Sequence, residues 1–429
     1  MTLHLWCERA WLGGDGVEHG VVLEIEGELV SSVTTGVSAC PSDAATREGV
    51  TLPGFVNAHS HVFHRALRGR TQHGAGSFWT WRAQMYDLAS RLDPDSLHAL
   101  ARATYAEMAL AGITTVTEFH YLHHDTGGRR YADPNAMGHA VVAGAEDVGL
   151  RLLLVDACYL EGGIGRPLEG VQLRFGDGTA AAWAERVDAI EARGHARVGA
   201  AIHSVRAVTP DAMEHVVEWA GSHFAPVHAH VSEQPAENAA CFDAYGMSPT
   251  QVLHEAGALG DRFTAVHAIH VSDDDIGLLR GSTVCVCPTT ERDLADGIAP
   301  SGRLRDGGVN LAVGSDSNAV VDLLEEARAI ELDTRLESGE RGTHSAVELL
   351  RAATGRAGIV VGEPADLVTI GTDSVRLAGA PVDLLAALVF AASAADVTHV
   401  MVGGREIERD PESVAIDLDR AVRALWAES

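Results

Sequence analysis

The sequence predicts an α/β protein, a (β/α)8 TIM-like barrel with a small β-sandwich domain built from both chain ends. Three observations predict it. Eight compact apolar runs alternate with helical stretches across about 300 residues. The two chain ends share another texture, short alternating runs separated by Gly turns. Side chains with chemistry follow directly on the apolar runs, where a barrel gathers its functional face.

The first fifty residues read as short strands, typified by residues 20–30, and the same pattern returns at 365–370 and 398–407. Gly403-Gly404 between two alternating runs is a hairpin signal, because both central residues of a tight hairpin turn need positive φ. The expected division is therefore 1–52 plus 361–411 as the β domain, 53–360 as the barrel and 412–429 as a C-terminal helix. Within the barrel the apolar runs are 54–58, 112–117, 152–155, 198–202, 226–229, 264–266, 284–287 and 311–314. Helical stretches separate them, among them 95–111, 180–193 and 323–336; the last is amphipathic and a candidate subunit contact.

Composition narrows the function. The chain has 429 residues, 46% hydrophobic and 21% charged, the profile of a folded globular protein. The longest apolar run, 384–395, is too short to span a bilayer, and the N-terminal stretch lacks the form of a signal peptide, so a cytoplasmic location is expected. Sixty acidic residues against 32 basic ones give a net charge of −28, which disfavours nucleic acid and anionic membrane surfaces as partners. A small anionic substrate stays open, since it answers to local Arg groups. No lysine occurs, which removes Schiff-base chemistry, a P-loop and any metal pair bridged by a modified lysine. Six scattered cysteines without a CxxC argue against a disulfide framework, and Cys285 and Cys287 read as core packing.

The histidines carry the chemical signal. About half of the 22 lie at or just past the predicted strand ends. His59 and His61 are two apart, so on a strand both imidazoles point the same way. His230, ending the fifth run, supplies a third nitrogen and Asp316, after the eighth, an oxygen. Three His and one Asp suit Zn²⁺ with room for a water, which becomes an effective nucleophile near neutral pH. The cytidine-deaminase and HExxH patterns are both absent.

The segment 53–61, with His230-Val231-Ser232-Glu233, His267 and Ser315-Asp316, resembles the amidohydrolase superfamily, in its mononuclear deaminase branch. Segments 78–82, 118–124, 203–206 and 287–291 resemble the formimidoylglutamate deiminases within it, over about residues 50 to 360. The resemblance implies one Zn²⁺ per subunit held by His59, His61, His230 and Asp316. It implies Glu233 as proton shuttle, His267 as hydrogen-bonding partner of the attacking oxygen, and Asp316 as a further proton acceptor. The implied reaction is water attack on the formimidoyl carbon of N-formimidoyl-L-glutamate, releasing ammonia and N-formyl-L-glutamate, a step of histidine degradation in a cytoplasmic homodimer.

The substrate's two carboxylates call for guanidinium forks. The family pattern gives this task to Arg82 and Arg206, with Tyr121 and His203 beside them; Trp79 and Trp81 are candidate pocket walls. Two positions depart from the pattern. His64 stands where the family has Gln facing the formimidoyl group, and Arg292 follows Glu291 where a small residue is expected. An imidazole donates and accepts through one tautomer, so His64 either preserves the contact or marks another substrate. Two alternatives therefore stay open: deamination of an aminated heterocycle or another iminated amino acid, and a metal-binding scaffold without catalysis. His270, His123 and His124 carry no assigned role, and a second metal is not expected at the latter two.

Overall fold

The computed structural model describes residues 2–72, 76, 78–355, 358–379, 383–408 and 410–427. Four strands open the chain: β1 (Thr2–Ala10), β2 (Glu18–Glu26), β3 (Leu29–Thr34) and β4 (Ala45–Pro53). Eight follow in the middle: β5 (Phe55–Ser60), β6 (Ile113–His120), β7 (Arg151–Cys158), β8 (Ala196–Ile202), β9 (Val227–Val231), β10 (Phe263–His267), β11 (Thr283–Val286) and β12 (Asn310–Val313). Three close the set: β13 (Leu367–Ile370), β14 (Val397–Val402) and β15 (Arg405–Glu406).

Both chain ends combine in one seven-stranded sheet of order β15-β14-β13-β4-β1-β2-β3, antiparallel except for the β1–β4 pair. Residues from its two halves, Leu5, Leu23 and Ile25 with Leu367 and Met401, meet in one buried cluster. The β14–β15 hairpin turns on Gly403 and Gly404, with φ of 54° and 73°. Both values lie where an L side chain is disfavoured and glycine is not.

Strands β5 to β12 lie side by side in sequence order, all parallel. The circle closes through a parallel bridge between Ser60 and Asp316. His61 N donates to Asp316 O at 2.9 Å, and Asp316 N donates to His59 O at 3.0 Å. Gly314 permits this approach, because a Cβ there would lie 2.7 Å from His59 O. The seam that closes the barrel thus holds three residues with chemistry.

Helices cover the outer wall. Pro94–Leu110 starts on an Asp93/Ser96 capping box with Pro at its first position, where the missing N–H costs nothing. Against it packs the C-terminal helix Pro411–Trp426, with Arg102 to Asp417 at 2.6 Å. The stretch expected as helix over 180–193 ends at Asp188. Asp188 accepts the Trp219 indole N–H at 2.7 Å, and the chain turns there to reach β8. Leu323–Ser338 buries Leu323, Leu324, Ala327 and Ile330 and leaves Leu336 exposed. Among the described residues no helix is long and apolar enough to cross a membrane.

Candidate active site

At the C-terminal end of the barrel, four donor atoms converge. His59 reaches inward from β5 and His61 from just past its end, His230 from β9, and Asp316 from the turn after β12. Nε2 of His230 lies 3.3 Å from Nε2 of both His59 and His61. Asp316 Oδ1 lies 3.5 Å from His59 Nε2 and 3.6 Å from His61 Nε2. The second ring nitrogens settle two tautomers. His61 Nδ1 donates to Phe119 O at 2.8 Å, and His230 Nδ1 donates to His203 O at 2.9 Å. Two neutral rings so anchored face each other with lone pairs at 3.3 Å, and neither can donate.

A cation resolves that conflict. Zn²⁺ takes nitrogen and oxygen ligands at about 2.0–2.2 Å, and a tetrahedron of that radius has edges of roughly 3.3–3.6 Å, the separations found. Burial lowers the pKa of His59, His61 and His230, keeping the lone pairs available. Burial opposes ionisation of Asp316, but the hydrogen bond and charge of His59, with His61 and His267, hold its carboxyl well below the usual range. The residues present fit the metal.

The backbone around this cluster is strained. Ser232, His267, Asp316 and Asn318 have φ of 51°, 72°, 42° and 55°. Such residues persist where surroundings over-determine them. Asn318 shows how: its Nδ2 donates to Ser60 Oγ and His61 O, while its Oδ1 accepts from Ser315 Oγ at 2.6 Å.

His267 sits beside the cluster. Its Nδ1 donates to Glu291 Oε1 at 3.2 Å, and its Nε2 lies 3.8 Å from both Glu233 Oε1 and Asp316 Oδ2. Burial would favour the neutral ring, but Glu233, Glu291 and Asp316 together push its pKa up to about 10. The imidazolium is therefore a ready donor to a developing negative oxygen. Glu291 is itself fixed by Cys287 N at 2.9 Å.

A cavity of about 370 Å³ opens over the cluster. His61, His64, Arg82, Tyr121, His203, Arg206, His230, Glu233, His267 and Asp316 all line it, and His59 lies directly behind, its ring 4.7 Å from that of His61. His64 Nε2 bonds the Tyr121 hydroxyl at 2.8 Å, while His64 Nδ1 is buried without a hydrogen-bond partner. Arg82 stacks on Trp79 at 4.5 Å and Tyr86 at 5.4 Å, so its guanidinium is held by faces rather than by acids. Arg206 Nη2 lies 3.4 Å from Glu233 Oε2, and its Nε 3.4 Å from Glu237 Oε2. Trp81 packs its ring 5.1 Å from His64, whereas Trp79 is half exposed at the rim.

Other candidates fall elsewhere. Arg292 points away from the cavity, ion-paired at 3.4 Å with Glu325 and 3.7 Å with Asp333; it follows Glu291 on one helix and so is turned about 100° from it. His270 Nε2 donates to Asp296 O at 2.9 Å. His123 and His124 are buried outside the barrel wall near Asp156 and Asp177. Both Asp156 oxygens are engaged by Arg186, at 2.7 and 3.0 Å, which makes this group a structural ion network. Cys285 and Cys287 pack in the core with sulfurs 3.9 Å apart.

Two acids at the site escaped the sequence reading. Glu291 stood in a quoted segment without a role, although a carboxylate opening the helix after β11 is within reach of a β10 side chain. Glu237 follows Glu233 by four residues, in the first turn of the helix Pro235–Tyr245, and that proximity in sequence was its only signal. Burial raises the Glu237 carboxyl to about 7, against the pull of Arg206.

The chain matches the model of the amidohydrolase family over residues 50–407. It is 35% identical over 434 aligned positions to a formimidoylglutamate deiminase of Pseudomonas aeruginosa, covering 95% of this chain and 94% of that protein. It is 31% identical to an 8-oxoguanine deaminase of the same organism, covering 91% and 88%. Among solved structures, an amidohydrolase from Brucella melitensis superposes with a TM-score of 0.88 at 30% identity, covering 99% of this chain and all of that one.

Proposed function

This chain belongs to the amidohydrolase family of metal-dependent hydrolases acting on C–N bonds, and on that premise we propose that it deiminates N-formimidoyl-L-glutamate to N-formyl-L-glutamate and ammonia. One observation carries the choice of substrate. Two guanidinium groups, Arg82 and Arg206, share one cavity with the His/His/His/Asp cluster, and a dicarboxylate bearing a terminal imine matches that set of charges.

His59, His61, His230 and Asp316 would hold one Zn²⁺ per subunit, which would supply an activated water and Lewis-acid polarisation there. Glu233 takes the proton lost as water adds to the formimidoyl carbon, then delivers it to the departing nitrogen. His267, fixed by Glu291, donates in its protonated form to the oxygen that gains negative charge. Arg82, Arg206, Tyr121 and His203 hold the carboxylates, and His64 flanks the imine with its free Nδ1. The balance is a C=N bond replaced by a C=O bond, with both protons of the attacking water ending on the nitrogen that leaves as ammonia. We place the enzyme in the cytoplasm as a homodimer, in histidine degradation.

A second substrate class has its own support. Phe78, Trp81, Tyr86, Tyr159 and Phe175 line the cavity and offer faces to a planar ring, and one relative is an 8-oxoguanine deaminase. A panel assay separates the two. N-formimidoyl-L-glutamate should release ammonia and purines should not; the reverse pattern would remove Arg82 and Arg206 as carboxylate anchors.

A further inference from the structure

We infer that Glu237 is a positioning residue that holds the Arg206 guanidinium away from Glu233, leaving the proton-carrying carboxylate free while Arg206 takes the substrate's carboxylate. This rests on the proposed deimination of a carboxylate substrate.

The geometry around Arg206 is looser than that of other arginines that pair with buried carboxylates. Arg186 closes on Asp156 at 2.7 Å and on Asp177 at 2.9 Å, Arg151 on Asp366 at 2.8 Å, and Arg376 on Asp396 at 2.7 Å. Those are the lengths of charge-assisted hydrogen bonds. Arg206 closes on neither neighbour. Its Nη2 stands 3.4 Å from Glu233 and its Nε 3.4 Å from Glu237, so the cation is shared between two acids. Phe78 covers one face of the guanidinium, with Cζ 5.6 Å from the ring centre. Among the described residues its Nη1 makes no hydrogen bond, and that edge belongs to the cavity.

Sharing has a chemical consequence. Glu233 and Glu237 are the two acids, among the described residues, that pair with Arg206, and both are buried. With Glu237 neutral, Arg206 would have one counter-ion within reach and would collapse onto it. A Glu233 carboxylate locked in such a pair is a poorer proton acceptor, and its Arg is less available to a ligand. Helix Pro235–Tyr245, starting two residues after Glu233, carries Glu237 in its first turn and prevents the collapse.

The test is steady-state kinetics of Glu237→Gln and Glu237→Asp on the zinc-loaded enzyme at about pH 8.5, above the raised Glu237 value. Glu237→Gln should lose about tenfold or more in kcat, together with a rise in KM for N-formimidoyl-L-glutamate, and with zinc content and Tm unchanged. Glu237→Asp, which keeps the charge, should recover most of the lost kcat. An unchanged kcat in Glu237→Gln, a loss expressed in KM alone, or equal losses in both variants with lowered Tm or failed folding would overturn the inference. Wild-type enzyme inert toward N-formimidoyl-L-glutamate would instead overturn the functional reading, and the inference with it, without any variant being consulted.

Discussion

Glu291→Gln is expected to slow turnover by about 10- to 150-fold while the metal stays in place. Glu291 is buried, and its Oε1 accepts from His267 Nδ1 at 3.2 Å and from Cys287 N at 2.9 Å. A glutamine oxygen can keep the backbone bond, so the start of the helix after β11 should survive. What is lost is the charge of one of three carboxylates around His267, leaving those of Glu233 and Asp316 at 3.8 Å each. A hydrogen bond to a charged partner contributes about 1.5–3 kcal/mol, and each 1.36 kcal/mol of barrier is about tenfold in rate. The assay is ammonia release at saturating substrate, with zinc content and Tm measured on the same preparation. A variant with wild-type kcat, or one whose loss merely tracks lost zinc, refutes the reasoning that Glu291 readies His267 as a donor.

Other consequences can be checked in parallel. Glu233→Gln removes the proposed proton carrier and should cut kcat by about 10²- to 10⁴-fold with zinc retained, by single-turnover assay and metal analysis. Arg82→Met should raise KM for N-formimidoyl-L-glutamate by about 10-fold or more while a substrate lacking the second carboxylate is scarcely affected; equal effects on both would remove Arg82 from binding. Chelation should abolish turnover and added Zn²⁺ restore it, with the far-ultraviolet circular dichroism unchanged, because the closed sheet rather than the metal holds the barrel. Asp177 provides an acid-stability test. Burial raises its carboxyl, but the His124 contact at 3.1 Å and Arg186 at 2.9 Å outweigh this and hold it down to about 2. A depressed carboxyl stabilises the fold above its unfolded value near 3.9 and loses that contribution as pH falls through about 2, on the order of 2–3 kcal/mol. Asp177→Asn should therefore be less stable than wild type near neutrality, with the Tm difference shrinking as pH falls.

The sequence displayed the barrel because parallel strands are buried on both faces and read as unbroken apolar runs. All eight runs became β5 to β12. The site was legible for the same reason, since its residues sit where those runs stop: His59 and His61, His203, His230, His267 and Asp316 all mark strand exits. What stayed hidden depends on contacts between residues distant in the chain. The His64–Tyr121 bond spans 57 positions, and the Ser60–Asp316 bridge that closes the barrel spans 256. Glu291 and Glu237 sit on helices, where no strand end announces them, and their roles come from what faces them. Arg292 was conspicuous in sequence yet lies outside the cavity, because one residue along a helix turns a side chain by about 100°. The helix expected over 180–193 ends at Asp188, whose side chain accepts from Trp219, 31 residues further along the chain.

The central claim is tested most directly by product analysis with zinc-loaded enzyme in isotope-labelled water, offering N-formimidoyl-L-glutamate and 8-oxoguanine separately. The expected result is equimolar ammonia and N-formyl-L-glutamate, one labelled oxygen in the formyl group, and no ammonia from the purine. Ammonia from 8-oxoguanine with N-formimidoyl-L-glutamate untouched would contradict it.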